Sequence, residues 1–365
     1  MLYLLENVDL FGFSLRLFGY VTFRAGGAAL TAMLFVMLFG PFTVRLLKRY
    51  RALAMDRYKD VLPEGFIDKR KNATPSMGGL LMLAGVALAT VLWTELFNPT
   101  VLALLFCTVL MGLIGFADDY VKVTRNPKGI SARAKFLAQC LVAAGTILFL
   151  YWQPFQPELA EQMNKLFVPF VKEPVLQSQW VLLLEMVVIV GASNAVNLTD
   201  GKDGLATGSV IFCALTYAVI AYVCGHRVFA EYLNVPGIPG ASEGVVFAAA
   251  VIGACIGFLW HNCYPASMFM GDTGSLALGG AIGLLAVLVR QELLLVLTGG
   301  VFVMEALSVV IQVASFKLTG KRVFLCAPIH HHFERRGWTE TQIVVRFWIL
   351  AGIFALLSLA SLKLR

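Results

Sequence analysis

Ten apolar segments, each about as long as a membrane-crossing helix, constrain this chain more than any other feature of its sequence. A helix that spans the bilayer core needs roughly 20 mainly apolar residues. Segments of that kind lie at 21–44, 76–97, 99–117, 134–152, 179–197, 205–224, 243–262, 273–289, 293–316 and 343–362. The sequence therefore predicts an all-α, polytopic integral membrane protein with ten transmembrane helices, organised as a single domain over residues 1–365.

The composition also favours contact with lipid. Of the 365 residues, 59% are hydrophobic and 14% are charged, whereas a soluble domain carries about 25% charged residues. The net charge of +7 could indicate a nucleic-acid partner, but the basic residues stand between the apolar runs, where positive charge sets membrane orientation. We therefore expect membrane lipid around the chain and no nucleic-acid partner.

Lys and Arg are divided unequally between the two sets of connecting segments. One set holds 21 of the 29 basic residues and consists of 45–75, 118–135, 197–204, 263–272 and 317–346. Cytoplasmic loops carry the excess of Lys and Arg, so this set is predicted to be cytoplasmic. Both termini and the 153–178 segment are then predicted to lie outside, and every polar motif described next falls on the cytoplasmic face.

Two acidic motifs lie at predicted helix ends. Asp118 and Asp119 close the third span, where two carboxylates at the negative pole of a helix would be stabilised by a cation. Asp272 opens the eighth span as a predicted helix N-cap, at a position where amides favour phosphate and where the carboxylate is suited to Mg²⁺. The alternatives are two solvated charges at a helix end and ordinary capping.

Amides and carboxylates recur every three residues between the fifth and sixth spans. Asn194, Asn197, Asp200 and Asp203 share one face if the helix continues, but Gly201 and Gly204 predict a break into a loop. Amides and carboxylates together suit a hard cation or a polar sugar and base. An ordinary polar helix cap is the alternative.

Three consecutive His residues occupy the last cytoplasmic loop. His330, His331 and His332 cannot share one helix face, and tetrahedral zinc sites prefer wider His spacing. Imidazoles near neutral pH serve better as phosphate donors or as a proton relay. A solvated basic loop is the alternative. Lys71 and Lys122 lie nearest to the polar motifs and are predicted to bind phosphate.

These side chains predict Mg²⁺-assisted chemistry on a phosphate ester, with one lipid substrate and one soluble substrate. No Ser–His–Asp pattern, Walker loop or CxxC pair is present. An ion-coupled transporter that uses Glu305 and Glu185 is the alternative of another class. Transporters place their sites near the bilayer midplane, whereas these motifs cluster at one surface.

Four segments resemble the phospho-N-acetylmuramoyl-pentapeptide-transferase family. They are Asp118-Asp119-Tyr120, NAVNLTDGKDGL at 194–205, MGDTGSLALGG at 270–280 and APIHHHFE at 327–334, and the resemblance covers nearly the whole chain. The first two are shared across the wider polyprenyl-phosphate sugar-1-phosphate transferase superfamily, and the three-His loop is specific to the muramoyl branch. The chain departs from the family pattern at Asn72-Ala73 and Ser76.

The resemblance implies a reaction in the bacterial inner membrane. It would join phospho-MurNAc-pentapeptide from UDP-MurNAc-pentapeptide to undecaprenyl phosphate, with release of UMP, as the first membrane step of peptidoglycan synthesis. Mg²⁺ would be the cofactor and the protein a homodimer. The nearest rival is a sister transferase that uses UDP-GlcNAc, and the His loop argues against it.

The resemblance also implies roles for individual residues. Asp118, Asp119, Asp272 and His330 would be catalytic, and the three carboxylates would hold the metal. Phe269 would stack on uracil. The residues expected to bind substrate are Lys71, Thr74, Lys122, Lys135, Asn194, Asn197, Asp200, Asp203, Phe269, Ser275, Gln312, His331 and His332.

Overall fold

The computed structural model describes residues 1–7, 9–10, 13–50, 74–152 and 157–364, and the structural statements below concern those residues. The α-helices are α1 (Val21–Arg49), α2 (Gly79–Trp93), α3 (Pro99–Thr124), α4 (Ala132–Tyr151), α5 (Pro157–Met163), α6 (Trp180–Thr199), α7 (Leu205–Cys224), α8 (Arg227–Leu233), α9 (Ala241–Asn262), α10 (Gly271–Leu288), α11 (Leu295–Thr298), α12 (Gly300–Thr319), α13 (Ile329–Arg335) and α14 (Glu340–Ser361). Short 3₁₀ helices cover Leu2–Asn7, Arg16–Gly19 and Leu362–Leu364. Two antiparallel pairs join β1 (Asp9–Leu10) to β2 (Phe13–Ser14) and β3 (Lys165–Leu166) to β4 (Leu176–Gln177).

The predicted all-α membrane fold is confirmed. Among the described helices, nine are long and apolar enough to cross a membrane, namely α1, α3, α4, α6, α7, α9, α10, α12 and α14 with its 3₁₀ extension. The second predicted span, 76–97, is shorter than expected, because α2 has only 15 residues. At 1.5 Å per residue α2 rises about 22 Å, less than the roughly 30 Å hydrocarbon core.

The residues at both ends of the second predicted span lie outside α2. Gly78 donates its N–H to the carbonyl of Phe269 at 2.8 Å, and Gly79 donates to the carbonyl of Met270 at 2.9 Å. At the other end the backbone of Thr94 is extended and closes the helix. The residues before α2 therefore tie its start to the start of α10.

The ninth predicted span, 293–316, is broken near its beginning. Gly299 separates α11 from α12 and donates its N–H to the carbonyl of Leu295 at 2.7 Å. A Cβ at Gly300 would lie 2.6 Å from the ring of Phe354. The break therefore allows α12 to begin in close contact with α14.

The charged segment between α10 and α11 is buried. Arg290 is 1% exposed and lies 2.6 Å from the carboxylate of Glu185 on α6. Its guanidinium also pairs with Glu292 and donates to the carbonyls of Gln162 and Met163 at 3.2 and 3.0 Å. These contacts fasten the end of α10 to α6 and to the segment that follows α4.

Helix α10 lies at the centre of the bundle, and 17 of its 18 residues are buried. Small residues let other helices approach it closely, as is usual in membrane bundles. A Cβ at Gly115 of α3 would lie 2.2 Å from the carbonyl oxygen of Asp272, and a Cβ at Gly279 would lie 2.5 Å from the carbonyl oxygen of Ala192 on α6. Close packing therefore fixes the first turn of α10 against α3.

The predicted orientation in the membrane gives a direct test. A reporter that is active only in the cytoplasm, inserted at 171–174 between β3 and β4, is expected to give no signal because that segment is predicted to lie outside. The same reporter inserted at Lys128, which is exposed between α3 and α4, is expected to be active. The reverse pattern of signals would invert the orientation.

Candidate active site

Two carboxylates and two ammonium groups form a compact cluster where α3, α4 and α10 meet. Lys122 Nζ lies 2.6 Å from Asp118 Oδ2 and 2.9 Å from Asp272 Oδ2. Lys135 Nζ lies 3.3 Å from Asp118 Oδ2 and pairs with Asp272 Oδ2. The same two carboxylate oxygens share both ammonium groups, so residues separated by more than 130 positions in the sequence form one site.

Asp119 joins α3 to the start of α10. Thr273 donates its backbone N–H to Asp119 Oδ2 at 3.0 Å and its hydroxyl to the same oxygen at 2.8 Å. The other carboxylate oxygen lies 3.8 Å from Lys122 Nζ. Asp119 is 3% exposed, and its contacts hold the first turn of α10 in place beside the cluster.

The helix ends differ from the sequence prediction at both acidic motifs. Helix α3 continues to Thr124, so Asp118 and Asp119 lie more than one turn before its end and are neutralised by lysines instead of standing at the negative pole. Asp272 is not the N-cap, because α10 begins at Gly271 and Met270 takes the cap position. It still lies in the first turn, where the helix dipole favours negative charge.

Glycines let the backbone approach these carboxylates. Gly271 has a φ of +74°, and a Cβ there would lie 2.6 Å from Asp119 Oδ2. In the turn between α3 and α4, Gly129 has a φ of +72°, and a Cβ there would lie 2.3 Å from Asp118 Oδ1. The next residue, Ile130, donates its N–H to that oxygen at 2.7 Å, which leaves Asp118 Oδ2 for the lysines.

The end of α6 lies against the first turn of α10. Asn197 Nδ2 donates to Ser275 Oγ at 2.8 Å, so both predicted residues lie near Asp272. Asn194 instead donates to Gln139 Oε1 on α4 at 2.9 Å. The predicted break is confirmed, since α6 ends at Thr199.

The turn after α6 contains the two remaining acidic residues of the motif. Asp200 takes the C-cap position of α6. Asp203 Oδ2 accepts a hydrogen bond from the backbone N–H of Ala266 at 3.0 Å, so its carboxylate holds the segment before α10 against this turn.

Thr74 and Phe269 lie on neighbouring segments at the start of α10. The N–H of Phe269 donates to the carbonyl of Pro75, the residue after Thr74, at 2.8 Å. Both predicted residues are partly buried, and Phe269 lies three positions before Asp272. Lys71 lies outside the described residues.

The three His side chains point to three different partners, as their spacing predicts. His330 Nδ1 lies 3.1 Å from Glu305 Oε2, and His331 Nδ1 lies 2.9 Å from Glu334 Oε2. His332 Nδ1 accepts the N–H of Leu325 at 3.1 Å. His330 and His331 are 1% and 3% exposed, so the solvated-loop alternative is wrong.

Lys202 and Glu334 form a further ion pair that was not predicted from the sequence, and the Lys202 ammonium contacts Glu334 Oε1. Burial alone would raise the pKa of Glu334, but the hydrogen bond from His331 and the nearby Lys202 charge lower it to about 2. Burial lowers the pKa of His331. Lys202 and Glu334 both belong to motifs identified in the sequence. Their pairing could not be predicted, because it depends on the packing of α13 on the turn after α6.

Gln312 supports the loop before α13. Its Oε1 accepts the N–H of Phe324 at 2.9 Å, and its Nε2 donates to the carbonyl of Phe324 at 3.1 Å. The structure therefore gives Gln312 backbone partners in that loop and does not join it to the carboxylate cluster by a hydrogen bond.

Buried carboxylates and lysines gather at one end of a bundle of apolar helices, and polar clusters of this kind in membrane-spanning proteins usually mark a functional site. The family model described as Glycosyl transferase family 4 matches residues 101–290, more than half of the chain, and the chain belongs to this family. It lies in the polyprenyl-phosphate hexosamine-1-phosphate transferase superfamily. The resemblance found in the sequence is confirmed at that level, and the chain is a polyprenyl-phosphate sugar-1-phosphate transferase.

The matched residues contain part of the site. They include Asp118, Asp119, Asp272 and the 194–203 motif, and they end before α13. The match therefore establishes the class of reaction and favours it over transport, but it does not distinguish between the donor sugars.

Proposed function

We propose that the chain transfers phospho-MurNAc-pentapeptide from UDP-MurNAc-pentapeptide to undecaprenyl phosphate and produces lipid I and UMP. The observation that carries this proposal is the packing of α13, which contains the three His residues, against the turn after α6, which lies within the residues that the family model matches. His330 Nε2 lies so near Gly201 that a Cβ there would be 2.4 Å from it. The motif typical of the muramoyl branch therefore lies beside the turn that follows Asn197.

The charges of the cluster suit a diphosphate. Lys122 and Lys135 each provide a point charge for phosphate oxygens. In the proposed reaction they turn from the carboxylates to the nucleotide diphosphate as it binds. Asp118 orients the phosphate of the lipid acceptor, and Asp119 keeps the first turn of α10 fixed. Such reactions depend mainly on positioning and on electrostatic stabilisation.

The carboxylate pair suits Mg²⁺. Among the described residues, no three acidic, His or Cys side chains form a complete metal-ligand group. Mg²⁺ needs no such group, because it is usually held by one or two carboxylates together with waters and substrate phosphates. Asp118 Oδ2 and Asp272 Oδ2 converge on the same cations and would hold the metal. When bound, Mg²⁺ would neutralise charge on the leaving phosphate.

The proposal extends to the surroundings of the enzyme. The chain lies in a bacterial inner membrane with the site on the cytoplasmic face, where the soluble nucleotide is present, and it acts as a homodimer. The excess of basic residues in the connecting segments on the site's side supports that orientation.

A donor competition tests the substrate. Purified protein in detergent with undecaprenyl phosphate and Mg²⁺ is expected to release UMP from UDP-MurNAc-pentapeptide and to form lipid I. UDP-GlcNAc, supplied at the same concentration, is expected to give little UMP. Turnover of UDP-GlcNAc alone would refute the proposed donor and assign the chain to the sister branch.

A further inference from the structure

Glu305 is a buried carboxylate inside the membrane-spanning helix α12. It is fully buried, and its Oε2 lies 3.1 Å from His330 Nδ1. Within the described part of the chain, Oε1 has no hydrogen-bond partner. An ionisable side chain at such a position is costly and usually marks function. Among the described residues, the one side-chain hydrogen bond that Glu305 makes is to His330.

The second nitrogen of His330 faces the end of α6. His330 Nε2 is buried and makes no hydrogen bond with any described residue. A Cβ at Gly201 would lie 2.4 Å from Nε2, so only glycine lets the ring approach this closely. Gly201 follows Asp200, the C-cap residue of α6. One nitrogen of His330 is thus held by Glu305, and the other is directed towards the turn after α6.

The neighbouring His residues are held differently. His331 bonds to Glu334, whose carboxylate is also paired with Lys202. His332 accepts a backbone N–H from Leu325. In neither case does a buried carboxylate bond to the imidazole alone. The Glu305–His330 pair is therefore distinct from the other two.

We propose that Glu305 is a positioning residue for His330. Its carboxylate accepts the Nδ1–H of the imidazole and so directs Nε2 to the turn after α6. The hydrogen bond made by one ring nitrogen fixes which nitrogen carries the proton, and the carboxylate stabilises positive charge on the ring when Nε2 holds a proton. This inference rests on the proposed function only in taking the substrate phosphates as the group that Nε2 faces.

The arrangement has a chemical use in a phosphate site. A ring held with its proton on Nδ1 accepts a proton or a hydrogen bond at Nε2. The same ring with both nitrogens protonated donates from Nε2 to an anionic oxygen. In either state the Glu305 side chain acts through His330 and does not touch the substrate.

Nitrogen NMR of the imidazoles provides the test. The chain has five His, so protein labelled with ¹⁵N in the His rings gives few signals, and a His330→Gln variant identifies that of His330. Wild-type protein without substrate is expected to carry a proton on Nδ1 of His330. Glu305→Gln keeps an acceptor oxygen and is expected to retain that proton, whereas Glu305→Leu is expected to shift it to Nε2.

Ser308→Ala serves as the matched control. Ser308 lies on the same helix, is buried, and donates its hydroxyl to the backbone carbonyl of Glu305 at 2.7 Å. Its replacement disturbs α12 at the same place without changing the carboxylate, so the His330 signal is expected to stay as in wild type. A wild-type proton on Nε2, or an unchanged signal in Glu305→Leu, would overturn the inference.

Kinetics with the donor that the wild type uses provide the second readout. Glu305→Gln is expected to lower kcat about tenfold, and Glu305→Leu about a hundredfold, as for other residues that orient a functional His. KM for the nucleotide is expected to change less than about twofold, because the carboxylate affects the ring and not donor binding. An unchanged kcat in Glu305→Leu would overturn the inference. Rejection of UDP-MurNAc-pentapeptide by the wild type would refute the donor alone, since the NMR result does not depend on it.

Discussion

Replacement of Asp272 by Asn is expected to lower turnover at least about a hundredfold, the range seen when a preorganised charge contact is lost. The Asp272 carboxylate contacts both Lys122 and Lys135 and lies in the first turn of α10. Asn is nearly the same size but carries no charge. The variant would therefore keep the packing and leave two ammonium groups with too little negative charge around them, and it would remove one proposed oxygen ligand of Mg²⁺.

The measurement is the rate of UMP release over a range of Mg²⁺ concentrations, with the donor that the wild type uses. Glu243→Gln is a matched control, because Glu243 also lies in the first turn of a spanning helix, is 4% exposed and pairs with Arg24. We expect this control to lower thermal stability and to leave turnover near that of the wild type. Turnover close to normal in Asp272→Asn would show that the carboxylate is not required.

The second large effect is expected from Gly115→Val on α3. A Cβ at Gly115 would lie 2.2 Å from the carbonyl oxygen of Asp272 and 2.6 Å from the nitrogen of Thr273. Those atoms belong to backbone and cannot rotate away, so α3 and α10 must separate. Separation weakens the hydrogen bonds from Thr273 to Asp119 and displaces Asp272 from the lysines. A displacement of about 1 Å is enough to cost about a hundredfold in rate.

Gly145→Val is the control for added volume in a spanning helix. Gly145 lies on α4, and a Cβ there would meet no atom of the described chain within 4 Å. We expect Gly145→Val to fold and turn over like the wild type. Gly115→Val is expected to lose both thermal stability and rate. Equal behaviour of the two variants would contradict the close contact between α3 and α10.

The membrane fold could be predicted because lipid imposes a simple rule on sequence. Each spanning helix needs a long apolar run, and those runs are visible without knowledge of their neighbours. The shorter α2 and the break at Gly299 were missed for the opposite reason. Gly78 and Gly79 bond to the segment before α10, and Gly300 packs on Phe354, so their conformations depend on distant residues.

The site was predictable as a set of residues but not as a set of contacts. Asp118, Lys122 and Asp272 stood out because polar groups are rare in such a sequence. Their contacts depend on how the helices α3, α10, α12 and α13 pack. This packing lets Lys122 bridge both carboxylates and lets Glu305 bond to His330. Lys202 was missed although it lies inside a quoted motif, because its partner Glu334 is more than 100 residues away.

The short length of α2 affects how this enzyme fits the thickness of the bilayer. Helix α2 rises about 22 Å and α10, with 18 residues, about 27 Å, and both are shorter than a hydrocarbon core of roughly 30 Å. The carboxylate cluster lies near the starting ends of these two helices, so we expect it to lie below the surface of a bilayer of ordinary thickness. Hydrophobic mismatch is relieved by local thinning of lipid. We therefore expect the acyl-chain length of the surrounding lipids to change how far the cluster lies below the membrane surface.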